Sequence, residues 1–326
     1  MRTLVVGAGA TGGYFGGRLL EANRDLTFLV RPRRAAELAQ RGLLIRSPFG
    51  DAILSNPPTI LATGLRETFD LVLLSCKAYD LEGAMESFAP AVGPDTMILP
   101  LLNGMRHLDT LDQRFGRGCV LGGVCIIAAT LNDEHEIVHL NDQHALVFGE
   151  REGTMSERVR AAPRLMAGAR FEVRASAEIL LEMWEKWVFL ASLAASNCLM
   201  RAAIGDILES PGGTELVLGL LEECRAVAAA EGYAPREAAV QRMRGVLTAP
   251  GSAMTASILR DMERNGPIEA DHIIGDLLRR GQRSLPLLSM AYTHLKAYEA
   301  RRKRTLAAQS TTSLPESSLH MSRGGE

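Results

Sequence analysis

The chain has 326 residues, with 36 Lys+Arg against 38 Asp+Glu and 47% hydrophobic residues. That length predicts two domains, each with a core of its own, and the formal charge of −2 excludes the basic excess on which nucleic-acid binding rests. Composition also excludes wholesale disorder and, with five Cys at no paired spacing, a disulfide scaffold. The expectation is a reduced, cytoplasmic protein. Its longest apolar stretch, Trp187 to Met200, is broken by Ser192, Ser196 and Asn197, short of the roughly 18 residues of a membrane span. The apolar run after Arg2 is cut by glycines too early for a signal peptide. No membrane partner is expected.

In chain order, Thr3–Val6 predicts a strand, followed by glycines and a helix to about Ala22. Leu26–Val30 predicts a second strand and Arg33–Gln40 a second helix. Phe69–Ser75 and Met97–Leu102 are continuous apolar runs, read as parallel strands buried on both faces, and Met105–Phe115 turns helical. Short strands from Leu43 to Leu61 and from Val120 to Gly149 are expected as antiparallel additions. This alternation predicts an α/β domain with a doubly wound parallel sheet. The second half reads as helices: Glu178–Met200, Gly213–Glu231, Pro235–Leu247, Met254–Asn265, Glu269–Gly281 and Pro286–Arg304. The boundary falls near Gly168–Ser176, dividing the chain into residues 1–170 and an all-α domain over 171–304. Residues 305–326, rich in Ser and Thr, are expected as a disordered tail.

Gly7-Ala8-Gly9-Ala10-Thr11-Gly12 places G-x-G-x-x-G between a strand and a helix. That context points to a dinucleotide pyrophosphate held at the helix N-terminus, with glycines for the tight turn, the close approach and the helix–strand packing. An NAD site would put an acid at the end of the second strand. Arg31 stands there, with Arg33 and Arg34 close behind, and a guanidinium pairs with a 2′-phosphate. The expected cofactor is NADPH/NADP+.

Substrate in such folds binds at the carboxyl ends of the strands. Lys77 and Asn103 follow the two apolar runs there, although a solvated lysine and a backbone-driven Asn-Gly turn would look the same. Only four of the 36 basic residues are Lys, namely Lys77, Lys186, Lys296 and Lys303, which draws attention to positions where Arg does not serve. Lys186 lies in an apolar helix. It either pairs with Glu182 one turn back or is partly buried, with its pKa lowered toward that of a usable general acid.

Together these residues resemble the ketopantoate reductase (2-dehydropantoate 2-reductase) family over about residues 1–300. The resemblance runs in register through the glycine motif, Arg31, Cys76-Lys77-Ala78-Tyr79, Asn103-Gly104-Met105, Trp184-Glu185-Lys186, Ser257 to Met262 and Ile268 to Asp271. It implies a Rossmann-like domain followed by a helical substrate and dimerisation domain, and NADPH-dependent reduction of a small anionic 2-keto acid. Lys186 would give the proton, Glu269 would assist by hydrogen bonding, and Ser257 would hold the substrate carboxylate. Asn103 would place substrate beside the nicotinamide, and Lys77 would support binding at the cofactor end. A homodimer is also implied. The family typically carries Asn four and eight residues after its lysine; here Leu190 and Ala194 stand there. Asn197 lies roughly 16 Å further along the helix axis from Lys186.

The leading expectation is reduction of 2-dehydropantoate in pantothenate synthesis. The alternatives are a paralogue acting on another branched or more apolar 2-keto acid or imine, and a non-catalytic NADP(H) sensor. No metal site is expected: His135, His139 and His144 lie on strand and turn without a further ligand set. Trp184 and Trp187 read as core, and Arg301-Arg302-Lys303-Arg304 as a helix C-terminus.

Overall fold

Apolar runs buried on both faces build the first sheet of this computed structural model, which describes residues 2–312. Strand β1 (Thr3–Val6) leads into α1 (Ala10–Glu21), and β2 (Leu26–Leu29) into α2 (Pro32–Arg41). An antiparallel pair, β3 (Leu43–Arg46) and β4 (Ala52–Leu54), precedes β5 (Thr59–Ile60). Then come β6 (Leu71–Leu74), α3 (Leu81–Phe88), β7 (Met97–Pro100) and α4 (Arg106–Phe115). The sheet is parallel throughout, in the order β5-β2-β1-β6-β7. Every residue of β1, β6 and β7 is buried, and alternate side chains serve different cores. Leu4, Val6, Val72, Leu74 and Ile98 join a core that runs on into the helical domain, whereas Val5, Phe28, Leu71, Leu73 and Leu99 pack with Tyr14 and Phe15 of α1. The strand order reverses between β1 and β6, the switch point where such sheets bind ligands.

The second sheet differs from expectation. Strands β8 (Gly122–Leu131) and β9 (Ile137–Gly149) form the antiparallel pair, with a register shift between Ile127 and Ala129. Yet β9 also pairs in parallel with β3 and, after α5 (Glu157–Leu165), with β10 (Glu172–Ala175). Because β9 satisfies the backbone of β10, residues 171–176 belong to the first domain, and the boundary at 170 moves to about Ser176.

Helices follow: α6 (Ile179–Met200), α7 (Ile204–Leu208), α8 (Gly213–Ala230), α9 (Glu237–Leu247), α10 (Ser257–Glu263), α11 (Asp276–Arg280) and α12 (Pro286–Thr312). The five-residue α7 was not anticipated, and a π turn over Asp271–Gly275 precedes α11. α6 is the central helix, in contact with α8, α10, α12 and β8. Its buried polar residues are satisfied internally: Ser192 and Ser196 donate to the carbonyls of Val188 and Ser192, at 2.7 and 2.8 Å. Asn197 accepts from the Ala256 amide at 2.8 Å and donates to the Ala202 carbonyl at 2.8 Å, which fixes the chain just before α10. α12 continues through 305–312, where a tail was expected, because Ala307 and Ala308 prolong a helix already nucleated. The rest of that expected tail, 313–326, lies outside the described residues. No described helix is long and apolar enough to cross a membrane.

Candidate active site

The glycine motif spans the end of β1 and the first turn of α1. A Cβ on Gly12 would stand 2.0 Å from Ser75 Oγ and 2.3 Å from the Gly7 carbonyl, so only glycine lets α1 sit this close to the strands. Ser75, at the end of β6, donates to the carbonyls of Val6 and Gly7 at 2.9 and 3.1 Å, pinning the turn from the neighbouring strand. Gly9 has open space where a Cβ would stand, leaving room for a pyrophosphate beside the amides of Ala10 and Thr11. Arg31 caps α2 and pairs with Asp80 at 2.9 Å, its side chain 77% exposed. Arg34 is the better enclosed: its Nε donates to the Ala8 carbonyl at 3.1 Å, Nη1 meets Glu37 at 3.2 Å, and Nη2 is buried without a partner among the described residues. An orphaned guanidinium nitrogen beside the glycine turn fits a phosphorylated dinucleotide.

Lys77 reaches across the cleft. Its Nζ lies 2.9 Å from Asp261 of α10 and 3.4 Å from Glu269, while the Ala78 amide donates to the other Glu269 oxygen at 2.9 Å. Burial opposes its charge, but Glu269 and Asp261 outweigh it and hold Lys77 protonated well above the ordinary lysine range. Burial pushes the neighbouring Cys76 thiol up to about 12, so it stays a neutral thiol.

Lys186 is held differently. Glu182 turns to Arg174 and Ser176, and Glu185 to Arg236. The Lys186 ammonium therefore has no ion pair among the described residues, and burial lowers its pKa. Burial pushes Cys125, on β8, up to about 11, so it supplies no anion at neutral pH. Lys186 lines a narrow cleft with Asn103, Gly104, Leu102, Trp187 and Leu190. Asn103 and Lys186, far apart in sequence, thus meet at the carboxyl end of β7. A desolvated ammonium beside an amide can protonate and polarise a carbonyl oxygen.

The ketopantoate reductase PanE/ApbA model matches residues 3–153, and the model of that family's C-terminal part matches 178–299. The chain belongs to this family. It is 37% identical over 303 residues to the uncharacterized oxidoreductase YkpB of Bacillus subtilis, a match covering 92% of this chain and 99% of that one. The crystal structure of 2-dehydropantoate 2-reductase from Geobacter metallireducens superposes with a TM-score of 0.83 at 27% identity, covering 91% of this chain and 99% of that one. A D-mandelate dehydrogenase, solved in a ternary structure with NADH and anilino(oxo)acetate, shares the fold at a TM-score of 0.82 and 17% identity, covering 93% and 100%. The chain is thus an oxidoreductase of the ketopantoate reductase family or a close relative within it, and a nicotinamide cofactor goes with that membership.

Against this family frame, the expected site residues fall into two groups. Asn103 and Lys186 share one cleft, whereas Glu269 bonds Ala78 and Lys77, and no hydrogen bond or ion pair joins it to Lys186. Ser257 is the exposed first residue of α10, one turn before Asp261. The sequence reading assigned no role to Ser75, Asp80 or Asp261. Asp261 alone carried a signal, since an acid four residues after Ser257 shares its helix face. His139 and His144 are engaged by Ser47 and Tyr14 at 3.0 and 2.6 Å, and no metal-ligand group of three occurs among the described residues.

Proposed function

We propose that this protein is an NADPH-dependent reductase of a small anionic 2-keto acid, with 2-dehydropantoate the first substrate to try. The observation that carries the reading is Lys186, partly buried and without an ion pair among the described residues, lining one cleft with Asn103. A bound nicotinamide supplies the hydride. Lys186 gives its proton to the substrate oxygen as negative charge grows there, and the low-dielectric surroundings strengthen that interaction. Asn103 orients the carbonyl. Lys77, held by Asp261 and Glu269, fixes the loop after β6 against α10, and Arg34 with Arg31 receives the cofactor's 2′-phosphate. Five free cysteines suit a reducing, cytoplasmic setting.

A second reading is favoured by Leu190, which walls the cleft where the family typically places an amide. A site without that amide loses little on a substrate without the matching hydroxyl, so a more apolar 2-keto acid is the competing substrate. Loss of NADPH absorbance with 2-dehydropantoate and a panel of branched and aryl 2-keto acids tests both. Turnover of 2-dehydropantoate at ordinary efficiency supports the first, and turnover confined to apolar members supports the second. Tight NADPH binding without turnover of any of them overturns the reductase reading.

A further inference from the structure

The turn after β2 and the turn after β6 are joined by one ion pair. Arg31, the N-cap of α2, places Nη2 2.9 Å from Oδ1 of Asp80, the last residue of the 3₁₀ turn over Ala78–Asp80. In the sheet order β5-β2-β1-β6-β7, strands β2 and β6 flank β1, and all three run parallel. The pair therefore crosses the carboxyl end of β1, where the glycine motif begins. That is the crevice in which sheets of this kind hold a dinucleotide. Both side chains reach solvent, so the pair is accessible to a cofactor entering there.

The carboxylate of Asp80 is not spent on its own helix. Asp80 stands at the N-cap of α3, where an aspartate ordinarily accepts from the first amides, yet its side chain makes no capping bond. It turns to Arg31 instead. Arg33 and Arg34 share a different acid, Glu37, at 3.0 and 3.2 Å, with His135 at 3.6 Å. Arg31 and Asp80 have no other ion-pair partner among the described residues, so the charge of Asp80 falls on Arg31 alone.

A 2′-phosphate binds by accepting from guanidinium N–H groups. At Arg31 one of these is already given to an acid, and that acid is a like charge beside any phosphate that arrives. NADPH binding thus meets repulsion and a competitor, whereas NADH carries no phosphate at that position and its binding leaves the pair intact. We propose that Asp80 is a specificity-determining residue for the cofactor: by holding Arg31 it narrows the preference for NADPH over NADH. This rests on the dinucleotide part of the function proposed above. Arg34 supplies the preference that remains, and the charge of Asp80, not its shape, sets the effect.

Titrating NADPH and NADH against the full chain, followed by cofactor fluorescence, tests this without any substrate. Asp80→Asn keeps a capping side chain of the same shape and removes only the charge. It is expected to tighten NADPH about three- to fivefold, the scale of one exposed ion pair, and to leave NADH within about twofold. Asp80→Ser, also a capping residue, should do the same, and Asp80→Glu should restore the wild-type ratio. Because the acid acts through Arg31, Asp80→Asn in an Arg31→Ala background should change NADPH affinity by less than about twofold. An unchanged or reduced preference for NADPH in the folded variants overturns the proposal, as does a gain that survives the loss of Arg31. Binding of neither cofactor by the wild type overturns the dinucleotide reading and this proposal together; binding of both with an unmoved ratio overturns this proposal alone.

Discussion

The Lys77 ammonium, 2.9 Å from Asp261 and 3.4 Å from Glu269, joins the two domains with one side chain. Lys77→Met leaves two carboxylates without their cation. The side chain is 40% exposed, so solvent screening limits the stability loss to about 1 kcal/mol. The larger expected effect is a tenfold or greater rise in cofactor KM, roughly the weight of one lost charge-assisted contact. The folded pKa of Lys77 is raised, so its contribution is fully present below the unfolded value of ~10.4 and disappears only as pH climbs through the folded value. Thermal unfolding at neutral and strongly alkaline pH checks this.

Lys186 has the opposite sign. Burial lowers its pKa, so the unfolded chain holds that proton more tightly and stability rises with pH from the folded value up to ~10.4. Lys186→Met should therefore raise Tm at neutral pH while lowering kcat by about 10²–10⁴ and leaving NADPH affinity intact. In the wild type, turnover should decline as pH passes upward through the lowered value. A Tm scan paired with a pH–rate profile measures both.

Arg34→Ala should cost more NADPH affinity than Arg31→Ala, because Arg34 is enclosed beside Ala8 whereas Arg31 is mostly exposed and shared with Asp80. Both variants should leave NADH affinity within about twofold, and Arg34→Ala should weaken NADPH at least tenfold, as expected for a lost guanidinium–phosphate pair. Titrating the two cofactors against each variant separates the contributions.

Leu190→Asn places an amide on the wall of the cleft. The ratio of kcat/KM for a hydroxylated over an unsubstituted branched 2-keto acid is expected to rise by about 10–100-fold, on the order of one satisfied hydroxyl. Paired kinetics on the two substrates give the answer directly.

The sheet that positions the cleft was legible because its strands are short apolar runs, Leu71–Leu74 among them, punctuated by glycine and charge. The glycine motif, Asn103 and Lys186 were legible for the same reason: each follows or interrupts a strong local pattern. β10 was not. Its Glu-Val-Arg-Ala sequence is half exposed and becomes a strand only by pairing with β9, a preference set by tertiary context. The Arg31–Asp80 contact joins residues 49 apart, and a π turn leaves no mark in a helical hydrophobic pattern. Arg34 was overshadowed by Arg31, since sequence locates the end of a strand but not which guanidinium lies over the Ala8 carbonyl.

The face of the first sheet bearing Leu4, Val72 and Ile98 shares one apolar core with Trp184, Trp187 and Leu220. The two stretches matched by separate family models, 3–153 and 178–299, are therefore distinct in sequence but not in melting. Severing the chain at Ser176 would strand oily surface on both fragments, so neither half is a transplantable module, and calorimetry of the whole protein should show a single transition.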